Sequence, residues 1–311
     1  MDIFSIILVV LGLCLFEVIS SIDNAIINAE VLSTMQVRAR RWFLVWGLII
    51  AVFLIRGLLP WAIIWGINPS LGPIGAFLAT FSNDAHIKES IELSAPILLA
   101  AGGVFLVFLF FHWLFLETKN FGLVRAEKFF LKNGVWFYAV VSVLLALIVW
   151  FALKINTMMA FGAVVGSTAF FITHGFKQNA EKGEELLLNK TNGLSDLSKI
   201  FYLEVIDATF SIDGVLGAFA FTLSVPLILI GNGVGAFVVR ELTIRNIEKI
   251  KKYVFIKNGA MYSILVLGVI MLADAFGIHI PAWVSPVSTF AIVGWFYYRS
   301  CVYIKNTPQN I

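Results

Sequence analysis

The sequence predicts an all-α polytopic transmembrane bundle of about nine spans with an inverted internal repeat. Three observations predict it. Of 311 residues, 60% are hydrophobic and 13% charged, with a mean hydropathy of +0.93, whereas a soluble domain carries about 25% charge. Apolar runs recur at roughly the 20 residues that a helix needs to cross a bilayer. Lys and Arg gather in alternate connections between those runs.

In chain order the spans are expected over 4–32, 42–66, 94–116, 134–153, 157–175, 200–222, 226–244, 259–277 and 282–302. The first begins Met1-Asp2 with no basic flank, and Glu17 interrupts the run where a cleavage site would need small residues. It therefore reads as a retained helix. Very short connections after the fourth and eighth spans, "LKIN" and "GIHIPAW", predict tight antiparallel hairpins. The stretch 68–93 is the least regular part of this map, and a re-entrant or amphipathic piece there is left open.

Basic residues set the orientation. Arg38, Arg40 and Arg41 follow the first span, Lys119, Arg125, Lys128 and Lys132 the third, and Lys177, Lys182, Lys190 and Lys199 the fifth. Arg245, Lys249, Lys251, Lys252 and Lys257 follow the seventh, and Arg299 and Lys305 lie in the tail. Even-numbered connections hold only Lys88 and Lys154. This parity places the N-terminus outside and the C-terminus in the cytoplasm of a multi-pass cell-membrane protein, as in a bacterial inner membrane. The mixed-sign segment 176–199 reads as a cytoplasmic linker between two halves, 1–175 and 200–311.

One polar pattern occurs twice inside apolar runs. "EVISSID" (17–23) and "DATFSID" (207–213) share acidic-x-x-x-Ser-Ile-Asp, which matches Glu17 with Asp207, Ser21 with Ser211 and Asp23 with Asp213. In the following spans Gly47, Phe53 and Arg56 match Gly231, Phe237 and Arg240. The matched spans have opposite polarity, so repeat 1 (4–66) and repeat 2 (200–244) are predicted to be inverted, as in many secondary transporters.

The carboxylates carry the functional argument. An ionised acid at the bilayer centre costs about 2.5–3.5 kcal/mol, so Glu17, Asp23, Glu204, Asp207 and Asp213 would together cost roughly 12–17 kcal/mol if unpaired. Arg56 and Arg240 suffice for two of them. Intramembrane acids of this kind mark ion or proton paths; the competing reading is a set of paired structural residues. Glu17, Ser20, Ser21, Asn24 and Asn28 share one helical face, while Asp23 lies about 120° away in a regular helix. Local unwinding at each Ser-Ile-Asp would bring the sets together. The donors are carboxylate, amide and hydroxyl oxygens, which suit Mg, Ca or Mn over Zn or Cu(I).

His112, His174 and His279 read as interfacial, Asp274 as reaching water, and "GNGVG" (231–235) as helix-packing glycine. No His-Glu-x-x-His, Gly-x-Ser-x-Gly or P-loop lysine occurs, so an enzyme is not expected. A net charge of +3 argues against a nucleic-acid surface. The expected partners are the lipid bilayer and a transported cation; no permanently bound cofactor is expected, and oligomeric state stays open.

Taken together, "E-x-x-x-S-I-D-N-A", the "G-x-x-x-A-x-x-x-R" at 47–56 and "D-x-x-F-S-I-D-G-V" resemble the TerC-like integral membrane proteins, in a branch known mainly as a domain of unknown function. The resemblance implies a fold related to LysE-type transporters and a link to manganese efflux. Carried over by position, it implies Glu17, Asp23, Asn24, Asp207, Ser211 and Asp213 as metal-site residues, with Glu204, Arg56 and Arg240 as auxiliary acidic or gating groups. The expected function is export of a divalent cation in exchange for protons; the alternative is a membrane scaffold. Orientation is directly testable. A cysteine placed at Leu188 is expected to resist an impermeant thiol reagent added to intact cells and to react after permeabilisation; ready reaction in intact cells would reverse the topology.

Overall fold

The computed structural model describes residues 2–47, 49–50, 56–67, 69, 72–81, 85–189, 195–245 and 252–306. These form helices and, among the described residues, no strand. In order they are α1 (Ile3–Ser20), α2 (Ile22–Ser33), α3 (Val37–Trp42), α4 (Arg56–Ile67), α5 (Gly72–Phe81), α6 (Ala85–Leu116) and α7 (Val124–Lys132). There follow α8 (Phe137–Ala152), α9 (Thr157–Asn189), α10 (Asp196–Ala218), α11 (Val225–Arg245), α12 (Ile256–Ala275) and α13 (Val284–Asn306). Among the described residues, five helical stretches are long and apolar enough to cross a membrane: Ile3–Ser20, Ser94–Leu116, Gly134–Ala152, Thr157–Asn179 and Ile256–Ala275.

Within 68–93 the described residues include α5 and the first turns of α6. Gly72, with φ +66°, supplies the left-handed residue that starts α5. Ten residues rise about 15 Å, half a hydrocarbon core, so α5 cannot span. It docks through Ala76 on Val225 of α11, and the Trp61 indole of α4 donates to the Pro73 carbonyl at 2.8 Å. Of the segment expected to link the two halves, residues up to Asn189 continue α9 as helix.

Packing fixes the relative directions of the helices. An added Cβ at Gly162 would lie 2.6 Å from the Ile97 carbonyl oxygen, and Gly166 meets the Ala101 backbone four residues later. Positions 97 and 101 thus advance with 162 and 166, so α6 and α9 are parallel. The pair Gly162 and Gly166 forms a Gly-x-x-x-Gly contact, which lets helices approach closely where lipid supplies no hydrophobic drive. Leu13 and Glu17 pack on Gly231 and Gly235, so α1 and α11 are parallel; Gly12 on Pro286 and Ile19 beside Val293 make α1 and α13 parallel. In contrast, Gly102 meets Met271 while Leu106 meets Gly268, which makes α6 and α12 antiparallel. Phe16 on Gly217 and Asn24 on Asp207 do the same for α1–α2 and α10.

The main core is aromatic. Phe105, Phe108 and Trp113 of α6 are buried with Phe137 of α8 and Phe170 of α9, and Phe105 and Phe108 meet Phe170 edge-on at 6.0 and 5.8 Å. Outward faces stay apolar: Tyr138, Trp150, Phe161, Ile172 and Tyr298 are exposed, as suits a surface solvated by lipid. Basic residues do more than set polarity. Arg40 donates from Nε to the Leu32 carbonyl at 3.0 Å, and the buried Lys199 Nζ reaches the Thr34 hydroxyl at 2.9 Å. Both place positive charge at the C-terminus of α2, where the helix dipole favours it.

Because Gly166 sits directly on the α6 backbone, Gly166→Val is expected to push α6 and α9 apart, at about 1–3 kcal/mol. Thermal unfolding in detergent would read this as a clear drop in midpoint, whereas the same change at Gly294, which has open space around it, should do little.

Candidate functional site

Four of the five residues that share a face of the first span line one cavity: Glu17, Ser21, Asn24 and Asn28. Asp207 of α10 faces them, and Ala236, Val239 and Arg240 of α11 close the third side, with Leu32, Phe43 and Leu44 beside them. The volume is about 60 Å³, enough for an ion with a few waters, since one water needs about 10–15 Å³ measured this way.

Glu17 is fully buried. It fits because its neighbours lack side chains: an added Cβ would come within 2.6 Å of Glu17 Cβ at Gly235 and 3.1 Å of Glu17 Oε2 at Gly214. The Ser21 hydroxyl donates to Glu17 Oε1 at 2.8 Å. At the matched position on α10, Ser211 donates instead to the Asp207 backbone carbonyl at 2.6 Å. The difference follows from one methylene. Glutamate reaches the hydroxyl one turn on, while the shorter aspartate leaves that hydroxyl to its own helix. The helices respond differently: α1 ends at Ser20 and α2 begins at Ile22, with Ser21 at φ −93°, ψ 3°, yet α10 runs unbroken from Asp196 to Ala218. Unwinding is thus confined to the first motif and absent from the second.

Across the cavity the Asn24 amide donates to Asp207 Oδ1, a hydrogen bond strengthened by the acceptor's charge. The same side chain's Oδ1 is buried with no hydrogen-bond partner among the described residues, as are Asn28 Oδ1 and Arg240 Nε. Buried polar atoms left in this state cost about 1–3 kcal/mol each.

The other predicted residues lie elsewhere. Asp213 pairs with Lys177 Nζ of α9 at 3.0 Å, both side chains largely buried, and does not line the cavity. Ser211 is fully buried within α10. Glu204, one turn before Asp207, packs against Gly47, and neither carboxylate oxygen has a hydrogen-bond partner among the described residues. The side chains of Asp23 and Arg56, and residue Phe53, lie outside what the structure describes. Among the described residues no three His, Cys, Asp or Glu side chains converge as a metal site, so any cation held here would rely on Glu17 and Asp207 supplemented by amide and hydroxyl oxygens.

Three polar features were not legible beforehand. Asn232, inside the "GNGVG" run, is fully buried, and neither amide atom has a partner among the described residues. His112, expected at the interface, is instead buried, with its ring centroid 3.9 Å from that of His174. It lies 3.6 Å from Glu117, which also pairs with Lys257 at 2.8 Å. Burial alone would raise the Glu117 carboxyl, but the hydrogen bond with His112 and the Lys257 charge hold it well below the usual range. Glu127 is fully buried and accepts from Asn258 Nδ2 at 3.1 Å and from the Tyr262 hydroxyl at 3.1 Å. A sequence offers only the residue types; which helix faces which is absent from it.

A family model described as "Protein of unknown function (DUF475)" matches residues 22–307, and the chain belongs to that family. No curated protein and no solved structure matches it.

The Lys177–Asp213 pair generates a test. Removing one member of a largely buried pair costs about 3–5 kcal/mol because a charge is stranded. Lys177→Met is therefore expected to lower the thermal midpoint sharply, and Lys177→Met with Asp213→Asn to recover much of it. Equal losses in the single and double variants would mean that the pair is not coupled.

Proposed function

We propose that this protein is a secondary transporter that exports a divalent cation, manganese foremost, in exchange for protons. The observation that carries the reading is the cavity where Glu17, Asn24 and Asn28 face Asp207, with amide oxygens buried and unpartnered among the described residues. Two carboxylates and several neutral oxygens are a hard-cation donor set. Arg240 in the same cavity offers a counter-charge between loads. Moving two positive charges outward against 100 mV costs about 4.6 kcal/mol, so export needs coupling, and carboxylates that exchange metal for protons provide it. Manganese as the substrate rests on the likeness to TerC-like proteins and, through them, to LysE-type transporters.

The reading includes about nine spans, the N-terminus outside, the C-terminus in the cytoplasm of a cell membrane, and inverted halves on either side of 176–199. Helix directions support it: α1, α11 and α13 agree, α6 and α9 agree, and α10 and α12 oppose their partners, as odd and even spans should. Contacts support the inversion. Glu17 lies against Gly214 while its counterpart Asp207 meets Asn24, the counterpart of Gly214. Gly231 rests on Leu13 of α1 while its counterpart Gly47 rests on Glu204 of α10. An axis in the membrane plane between α1–α2 and α10 would exchange the first pair of contacts, and the second pair nearly so, since Glu204 follows Leu203, the counterpart of Leu13.

A scaffold role is the second reading. The Lys177–Asp213 pair favours it, because that acid is neutralised by the protein itself. The two readings separate in proteoliposomes. Glu17→Gln and Asp207→Asn, each inserted at wild-type level, are expected to reduce manganese flux at least tenfold, while Lys305→Gln in the exposed tail keeps it. Full flux in both carboxylate variants would make these acids structural.

A further inference from the structure

The acidic cavity has a counterpart at the other end of the bundle. It encloses about 570 Å³ and is lined by residues 219–223, where α10 turns into α11, together with Asp274, His279 and Ser285. One aromatic contact links the neighbourhoods of the two. Phe16 precedes Glu17 in the chain, is fully buried, and packs against Phe221 in a tilted contact with ring centroids 5.7 Å apart at 48°. Phe221 in turn lines the second cavity. The backing of this layer is made of small residues. Gly217 lies directly under the Phe16 ring, an added Cβ at Gly12 would come within 2.9 Å of Phe221, and one at Gly231 within 2.5 Å of Leu13.

One buried polar residue of α11 has no evident structural task. Asn232 is fully buried, with both amide atoms unpartnered among the described residues. It precedes Ala236, Val239 and Arg240 by four, seven and eight residues, so it shares their helical face. All three line the acidic cavity. The polar stripe of α11 thus runs one turn beyond the cavity, towards the layer. An amide that only packed helices together would be expected to have found a partner.

From this arrangement we infer that Phe16 and Phe221 form the closed gate of a cation route joining the two cavities, with Asn232 a stepping ligand on the acidic side. A desolvated aromatic pair is an effective barrier to a hydrated ion, because passage strips water that the rings cannot replace. The inference rests on the transport reading for its cargo, but the barrier itself can be tested without any transport.

The experiment uses the full chain with Cys14→Ser and Cys301→Ser, carrying a single reporter: Ala236→Cys in the acidic cavity or Thr222→Cys in the second. A small impermeant methanethiosulfonate reagent is added to right-side-out and, separately, to inverted vesicles. From the face where Thr222→Cys reacts readily, Ala236→Cys is expected to react at least tenfold more slowly. Phe221→Ala should remove most of that difference, with Phe16→Leu as a milder variant should Phe16→Ala fail to insert. Unchanged Ala236→Cys labelling in variants that remain monodisperse would overturn the gate, as would Thr222→Cys that reacts from neither face. A manganese flux measurement on the same vesicles separates the two ideas. Labelling that opens without flux in any form upholds the barrier and removes the transport reading; flux with unaltered labelling removes the barrier alone.

Discussion

The full burial of Glu17 is the constraint on which the rest of the fold depends. A carboxylate withdrawn from water needs space that other side chains do not fill and polar groups that replace its hydration. Both come from different helices: Gly214 of α10 and Gly235 of α11 leave the space, and Ser21 supplies a hydroxyl. Three helices therefore meet at one point. There α1 packs in parallel on α11 through Gly231 and Gly235 and antiparallel on α10 through Gly214 and Gly217.

Small residues and acids are linked here. Close approach needs glycine, and close approach lets a short polar side chain on one helix reach the next, as Asn24 reaches Asp207. Away from this junction the bundle relies on other means. The α6–α8–α9 core is built of interlocked phenylalanines, and α6 and α9 touch through Gly162 and Gly166. One region is shaped to hold polar groups within the membrane, and the other to hold the bundle together.

The two matched motifs meet different neighbours. Asp213 has a lysine from α9 beside it, and α9 comes from the stretch between the two motifs. The same holds for the Ser21 and Ser211 hydroxyls, whose different acceptors follow from glutamate against aspartate.

The sequence by itself determined the helical class, the apolar runs, the alternation of basic connections and the polar face Glu17–Ser21–Asn24–Asn28. Each is local: a period of 3.6 residues and the energy of charge in lipid suffice to read them. The doubled motif also nominated Asp207 as a companion to that face, although it nominated Asp213 equally. Only the tertiary structure decided that Asp213 belongs to Lys177, that Arg240 enters the cavity, that Asn232 is buried rather than merely spaced among glycines, and that α5 stops halfway. Those facts depend on which helix lies against which, and at what distance. Neither residue type nor periodicity encodes that until the chain has packed.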